Sequence, residues 1–228
     1  MDKLAEYLTF AQQHEDIFKN PADGGILILR DKQEIRAAET HVARILKNQG
    51  LPEAWARVGI VCEDPFIILL RDAVRFPNGM LGTYIRGSSQ IKRGPGTAIL
   101  PRYQDQFLLL EQFRHATRQW HLEIPRGFGT EGLSSEENAR KELQEEIGAT
   151  ASRLIPLGQV HADTGLASDV TNLFYADLTS CEGIGELGGL ATLKPVSIAD
   201  LEQLIRDDQI TDAFTLAAFA RARLRGLI

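Results

Sequence analysis

One amphipathic helix set into a run of short strands constrains this chain more than any other feature. Ser134 with Glu137 three positions later has the spacing of a capping box. Ala139, Leu143 and Ile147 recur every fourth residue as a stripe to bury. Gly148 can then close the helix in a left-handed conformation. Around this helix, strands are expected at 58–62, 66–76, 80–91, 97–100, 107–113, 120–124, 154–161 and 172–178. Pro77-Asn78-Gly79 marks a hairpin, and Gly94-Pro95-Gly96 breaks the chain. Strands this close together are joined by turns, which points to mixed or antiparallel sheet rather than βαβ winding. A glycine-rich stretch at 183–189 reads as a flexible connection to helices at 197–205 and 211–224. The chain opens differently, with helices at 3–18 and 33–48 around a short strand at 26–29. The expectation is an α+β chain, with a small accessory α/β extension at 1–55 and a main domain at 56–228.

Charge narrows the function. The net charge is −6, which argues against nucleic acid held on a broad basic surface. Half of that charge sits on the helix: residues 136–146 carry five glutamates against Arg140 and Lys141. Glu136 can pair with Arg140 and Glu137 with Lys141 in the favourable order, and Glu145 can reach Lys141 in the weaker one. Glu142 and Glu146 face each other at i,i+4 with no cation three or four positions away. Such a pair costs an isolated helix roughly 0.2–0.5 kcal/mol. Either this is a solvated acidic surface, or a divalent cation offsets the repulsion through hard oxygen ligands.

The neighbouring residues favour the cation. Gly127, Glu142, Leu143, Glu145, Glu146 and Gly148 fall in register with the Nudix box. That signature runs Gly, five residues, Glu, seven residues, then Arg-Glu-apolar-x-Glu-Glu-x-Gly-apolar. Leu133 stands where the first Glu is expected and Lys141 where the Arg is. Family members usually pair those two residues, so both halves of one interaction have changed here. Gln112-Phe113-Arg114, the run 120–127 and the run 210–217 resemble the ADP-ribose pyrophosphatase branch, whereas Thr164 replaces its common proline. The resemblance covers about 60–228.

The resemblance implies a Nudix-type α/β/α sandwich and metal-dependent attack of water on one phosphorus of a nucleoside diphosphate derivative, of ADP-ribose or nucleotide-sugar type. Magnesium, or manganese, would be held by Glu142, Glu145, Glu146 and the backbone carbonyl of Arg126, whose side chain would be incidental. Glu145 and Asp169 are the candidates for catalysis, Asp169 matching an acid on a mobile loop after the box; as a plain loop aspartate it would only shape a turn. Arg114 and Arg86 are either phosphate contacts or arginines in surface ion pairs. Glu182 and Glu186 are weaker alternatives to Asp169. Homodimerisation through the N-terminal extension is also implied.

Two rivals remain. Gly127-x-Gly129-x-x-Gly132 spells a dinucleotide motif, but the helix should start after the third glycine and no acid ends a following strand. A catalytically weak nucleotide-sensing module is the other, motivated by Leu133 and Lys141. His121, Trp55 and Trp120 read as packing residues, and Cys62 and Cys181 as buried small hydrophobes. With no apolar run of membrane-spanning length, and with Asp2, Glu6 and Glu15 breaking any leader pattern, a soluble cytoplasmic protein is expected.

Overall fold

The computed structural model describes residues 3–89, 93–183 and 191–228. It has two compact units, residues 1–89 with Asp163–Ser168, and residues 90–162 with 169–228. The expected connection at 183–189, the end of the strand expected at 80–91 and Glu186 fall wholly or largely outside the described residues.

In the first unit, helices α1 (Lys3–Gln13) and α2 (Lys32–Asn48) accompany strands β1 (Leu27–Ile28), β2 (Gly59–Glu63), β3 (Ile68–Arg75) and β4 (Leu81–Ser88). β4 pairs along the whole of β3, while β2 and β1 share the other edge of β3, all antiparallel. The turn between β3 and β4 forms at Pro77-Asn78-Gly79, with Gly79 at φ +83°. The pairing of Leu27 with Arg75 carries residues 56–89 into the N-terminal unit, so the expected division at 55/56 falls inside it. Its core includes Tyr7, Phe18, Ile35, Leu70 and Val74, and closes over buried Asp72. Asp72 accepts from the Tyr7 hydroxyl at 2.6 Å and from the Arg86 guanidinium.

The second unit holds a seven-stranded sheet of β5 (Gly96–Tyr103), β6 (Gln106–Arg114), β7 (Gln119–Glu123), β8 (Arg126–Gly127), β9 (Ala149–Val160), β10 (Thr171–Cys181) and β11 (Ala191–Val196). β5 and β10 run parallel and the other pairs antiparallel, so the sheet is mixed as expected. Helices α3 (Ser135–Ile147), α4 (Ile198–Arg206) and α5 (Ala213–Leu224) cover it. Strand alternation sorts the core: Ile99, Leu108 and Leu110 pack with Ala139, Leu143 and Ile147 of α3. Their neighbours Ala98, Leu100 and Leu109 pack with Leu201, Ala218 and Ala222 of α4 and α5. This is an α/β/α sandwich.

One irregularity shapes the cleft. β5 and β6 pair directly only at Arg102–Phe107 and Tyr103–Gln106. Beyond that point β7 pairs with β6 and β8 with β5, so residues 119–127 fill a split in the sheet. β11 has no counterpart in the sequence reading, because Pro195 interrupts the strand pattern; the strand sits at a sheet edge, where proline is tolerated. Cys62 is exposed and Cys181 half-buried, contrary to the expected burial, and a register shift between Ile60 and Cys62 accounts for the first. Among the described residues no helix is long and apolar enough to cross a membrane.

Candidate active site

The loop from β8 to α3 and the inner face of α3 form a cleft of about 540 Å³ within the second unit, lined among others by Arg93, Arg126, Phe128, Lys141, Glu142 and Glu146. The helix begins as expected. The Ser134 hydroxyl accepts from the Glu137 amide at 3.2 Å, and Glu137 Oε2 accepts from the Ser134 amide at 2.8 Å. Gly148 ends the helix at φ +57°. With the helix starting at Ser135, the dinucleotide-motif geometry is absent: Gly132 is not at a helix N-terminus. Asn138, buried in α3, ties it to the loop by donating to the Phe128 carbonyl at 3.0 Å and to Thr97 Oγ1 at 3.1 Å.

Two of the three predicted metal-site glutamates meet at the backbone of β8. Glu142 is only 8% exposed, and its carboxyl lies so close to Gly127 that a Cβ there would be 2.2 Å from Glu142 Cδ. Glu146 Oε2 accepts from the Arg126 amide at 3.0 Å. Burial raises the pKa of Glu142, Lys141 opposing and Glu145 adding to the effect. Burial, with a contribution from Glu142, pushes Glu146 up to about 7 against the Arg126 hydrogen bond and the charges of Arg114 and Arg126.

Glu145 is not brought in. It is exposed on α3, where Lys141 Nζ donates to it at 2.9 Å in the weaker-order pair. Lys141 has no carboxylate at position 133 to engage, since Leu133 stands there. Among the described residues no three His, Cys, Asp or Glu side chains gather as a ready-made cage. The donor set that does converge is two carboxylates beside the Arg126–Gly127 backbone. Mg²⁺ is commonly held by one or two carboxylates, with waters and substrate phosphates completing its octahedron. Two desolvated carboxylates, only partly offset by Lys141, Arg114 and Arg126, fit such an ion.

Of the other candidates in the second unit, neither Asp169 nor Arg114 lines this cleft, although the Arg114 charge acts on Glu146. The Asp169 carbonyl hydrogen-bonds His161 Nδ1 at 3.0 Å. Arg114 is half-buried and ion-paired with buried Glu123 of the neighbouring strand β7, with Nε donating to Oε2 at 2.9 Å and to Oε1 at 3.1 Å. Burial raises the Glu123 pKa, but Arg114 and Arg126 outweigh it and hold the carboxyl below the usual range. Arg86 belongs to the first unit, bound to Asp72 and stacked 4.7 Å from the Phe18 ring centroid; its Nη2 is buried without a partner. His121 bonds Thr117, as befits a structural residue; Trp55 and Trp120 are each 54% exposed, so neither sits in the core, and Trp120 packs edge-on against Phe113 at 5.6 Å.

Sequence reasoning missed Glu123 as a site element. Glu123 shares its strand phase with Gln119 and His121, opposite Trp120 and Leu122, so alternation reads it as solvent-facing and gives no signal.

Glu146 gives a signed pH effect. Its folded pKa, about 7, exceeds the ordinary value of 4.5, so between those values the folded chain binds more protons than the unfolded one. Its contribution to stability is therefore present at low pH and lost as pH rises through that window. The Tm of chelator-treated protein should fall from pH 5 to 7.5, and Glu146→Gln should flatten that slope. An unchanged slope in the variant would refute the assignment.

A model of the NUDIX domain matches residues 92–213. An ADP-ribose pyrophosphatase of Bacillus subtilis (strain 168) is 27% identical over 164 residues, 70% of this chain and 86% of that protein. One from Escherichia coli (strain K12) is 31% identical over 157 residues, 61% of this chain and 75% of that protein. A methanol dehydrogenase activator of Bacillus methanolicus is 26% identical over 141 residues, 61% of this chain and 71% of that protein. The crystal structure of an ADP compounds hydrolase superposes with a TM-score of 0.66 at 23% identity, covering 75% of this chain and 93% of that one. At that identity the likeness speaks for the fold.

Proposed function

Since this chain belongs to the Nudix hydrolase family, within its ADP-ribose pyrophosphatase branch, we propose that it hydrolyses the diphosphate linkage of ADP-ribose or a nucleotide sugar with Mg²⁺ or Mn²⁺. The observation that carries this reading is the pair Glu142 and Glu146, two desolvated carboxylates held against the Arg126–Gly127 backbone, forming no ion pair among the described residues and only partly offset by the charges of Lys141, Arg114 and Arg126. A bound divalent ion would neutralise them, screen the substrate's phosphates from them and acidify a water. The Arg126 carbonyl and Glu145, once released from Lys141, complete the proposed ligand set.

The chain's own residues do the rest. Arg114 commits Nε and Nη2 to Glu123, which orients its remaining donors for a phosphate oxygen. Arg86 is the second candidate cation. Asp169 is the proposed base, as a carboxylate outside the cation's ligand set that would take the water's proton; Glu145 is the alternative. The proposal extends to a cytoplasmic setting and to a homodimer, with the N-terminal unit as an accessory part beside a hydrolase domain reaching to 228.

The test is a panel of ADP-ribose, nucleotide sugars and dinucleoside polyphosphates in ¹⁸O-water, with products read by mass. ADP-ribose or a nucleotide sugar should yield two monophosphates, one labelled. Chelator should abolish turnover and added Mg²⁺ restore it. No product from any member at millimolar metal would overturn the reading.

A further inference from the structure

The Arg126 side chain reaches well beyond the peptide that carries it. Its Nε and Nη2 donate to Glu123 Oε2 at 3.2 and 3.1 Å. Nη2 also stands 3.5 Å from Asp212 Oδ1, and the guanidinium lies 4.8 Å from the Phe214 ring centroid. Asp212 caps α5, accepting from the Thr215 amide at 2.8 Å and the Thr215 hydroxyl at 2.7 Å. That same hydroxyl accepts from the Ile124 amide at 3.0 Å. Glu123 and Thr215 are buried, and the Asp212 side chain is only 8% exposed. The N-terminal turn of α5 is thus fastened to the chain on both sides of Pro125.

The fastening matters because β8 is two residues long: it pairs with β5 at Thr97 and Ala98, and the Ile99 amide adds one bond to the Pro125 carbonyl at 2.9 Å. A ladder that short does not fix a backbone by itself. Yet this backbone donates to Glu146 and leaves room for Glu142. We propose that the Arg126 side chain is a positioning residue: clamped between Glu123 and Asp212 and seated on Phe214, it sets the place of its own peptide and so of the Glu146 carboxylate. The side chain taken as incidental on the sequence becomes the strut of the site.

The inference rests on the cation-binding reading above, and the sign of one measurement separates positioning from charge. Arg126 is a cation near Glu146. By Coulomb's law alone, deleting it should tighten binding of a divalent ion. Loss of position should weaken binding instead, by roughly 10–100-fold as for other residues that orient metal ligands. Removal strands no charge, since Glu123 keeps Arg114 and Asp212 keeps its bonds to Thr215.

The experiment titrates Mn²⁺ into the full chain without substrate and reads free Mn²⁺ by electron paramagnetic resonance. Arg126→Ala is expected to weaken binding 10–100-fold. Asp212→Asn keeps the Arg126 charge and retains a capping residue type, and is expected to weaken binding several-fold in the same direction. The double variant should fall short of the product of the two effects. If Arg126→Ala does not fold, Arg126→Gln, which also removes the cation and keeps a longer side chain, decides by the same sign. Unchanged or tighter binding in the folded variants overturns the inference alone. No Mn²⁺ binding by the unaltered chain overturns the cation reading and this inference together.

Discussion

Gly127→Ala should abolish measurable turnover while leaving the protein folded. The added Cβ would lie 2.2 Å from Glu142 Cδ and Oε2 and 2.3 Å from Oε1. Ordinary carbon contacts need about 3.5 Å, so the carboxyl must move by more than 1 Å. Backbone strain is not the cause, because Gly127 is not among the positive-φ glycines. The obstacle is the tip of a flexible side chain, so the fold yields cheaply, at the low end of the roughly 1–3 kcal/mol typical of overpacking. Function does not yield cheaply: a displacement of about 1 Å at a reacting centre costs on the order of 10²-fold, and here it strikes a proposed ligand directly. Gly129→Ala supplies the contrast. Its Cβ would meet the carbonyl oxygens of Arg93 and Pro95 at 2.6 Å, which are backbone and cannot swing aside. Gly129→Ala should therefore lower Tm more than Gly127→Ala. Turnover in Gly127→Ala within threefold of the parent, by product mass, would show that Glu142 does not act from this place.

What could be read in advance followed from local rules. The capping box at Ser134, the left-handed Gly148 and the turn at Pro77-Asn78-Gly79 are each decided by a few neighbouring residues, and each formed. The α3 stripe likewise announced one face of the sandwich. The extra features of the fold are non-local. β1 joins β3 across 48 residues, and no short-range signal marks that pairing. β9 starts at Ala149, ahead of the expected 154, because register shifts against β10 blur its alternation. Within the site, glutamates 142 and 146 were legible as an unpaired i,i+4 couple. The diversion of Glu145 to Lys141 follows from Leu133, whose substitution removed the alternative carboxylate. The bond of Arg114 to Glu123 depended on the register of β6 against β7, which composition does not encode.

Glu142→Gln should move activity and stability in opposite directions. The amide has nearly the same volume and keeps one oxygen, so the cleft remains filled. It lacks the charge that a divalent ion requires, and its amino group presents donors where acceptors are needed. Losing several kcal/mol of transition-state stabilisation corresponds to roughly 10²–10³-fold or more in kcat/KM. Stability runs the other way. Burial raises the Glu142 pKa, so above the ordinary 4.5 the folded chain bears the cost of an ionised, desolvated carboxylate that the unfolded chain does not. Gln removes that cost, and each kcal/mol relieved raises Tm by about 2–4 °C in a chain of this size. The gain should appear at pH 7 in chelator and vanish at low pH, where both folded and unfolded parent carry the protonated carboxyl. Added Mg²⁺ stabilises whichever protein binds it, so it should raise the parent's Tm more than the variant's and narrow or reverse the gap. A variant less stable than the parent in chelator at pH 7 would mean that another group already compensates Glu142. Parent-like turnover would mean that the ion is held elsewhere.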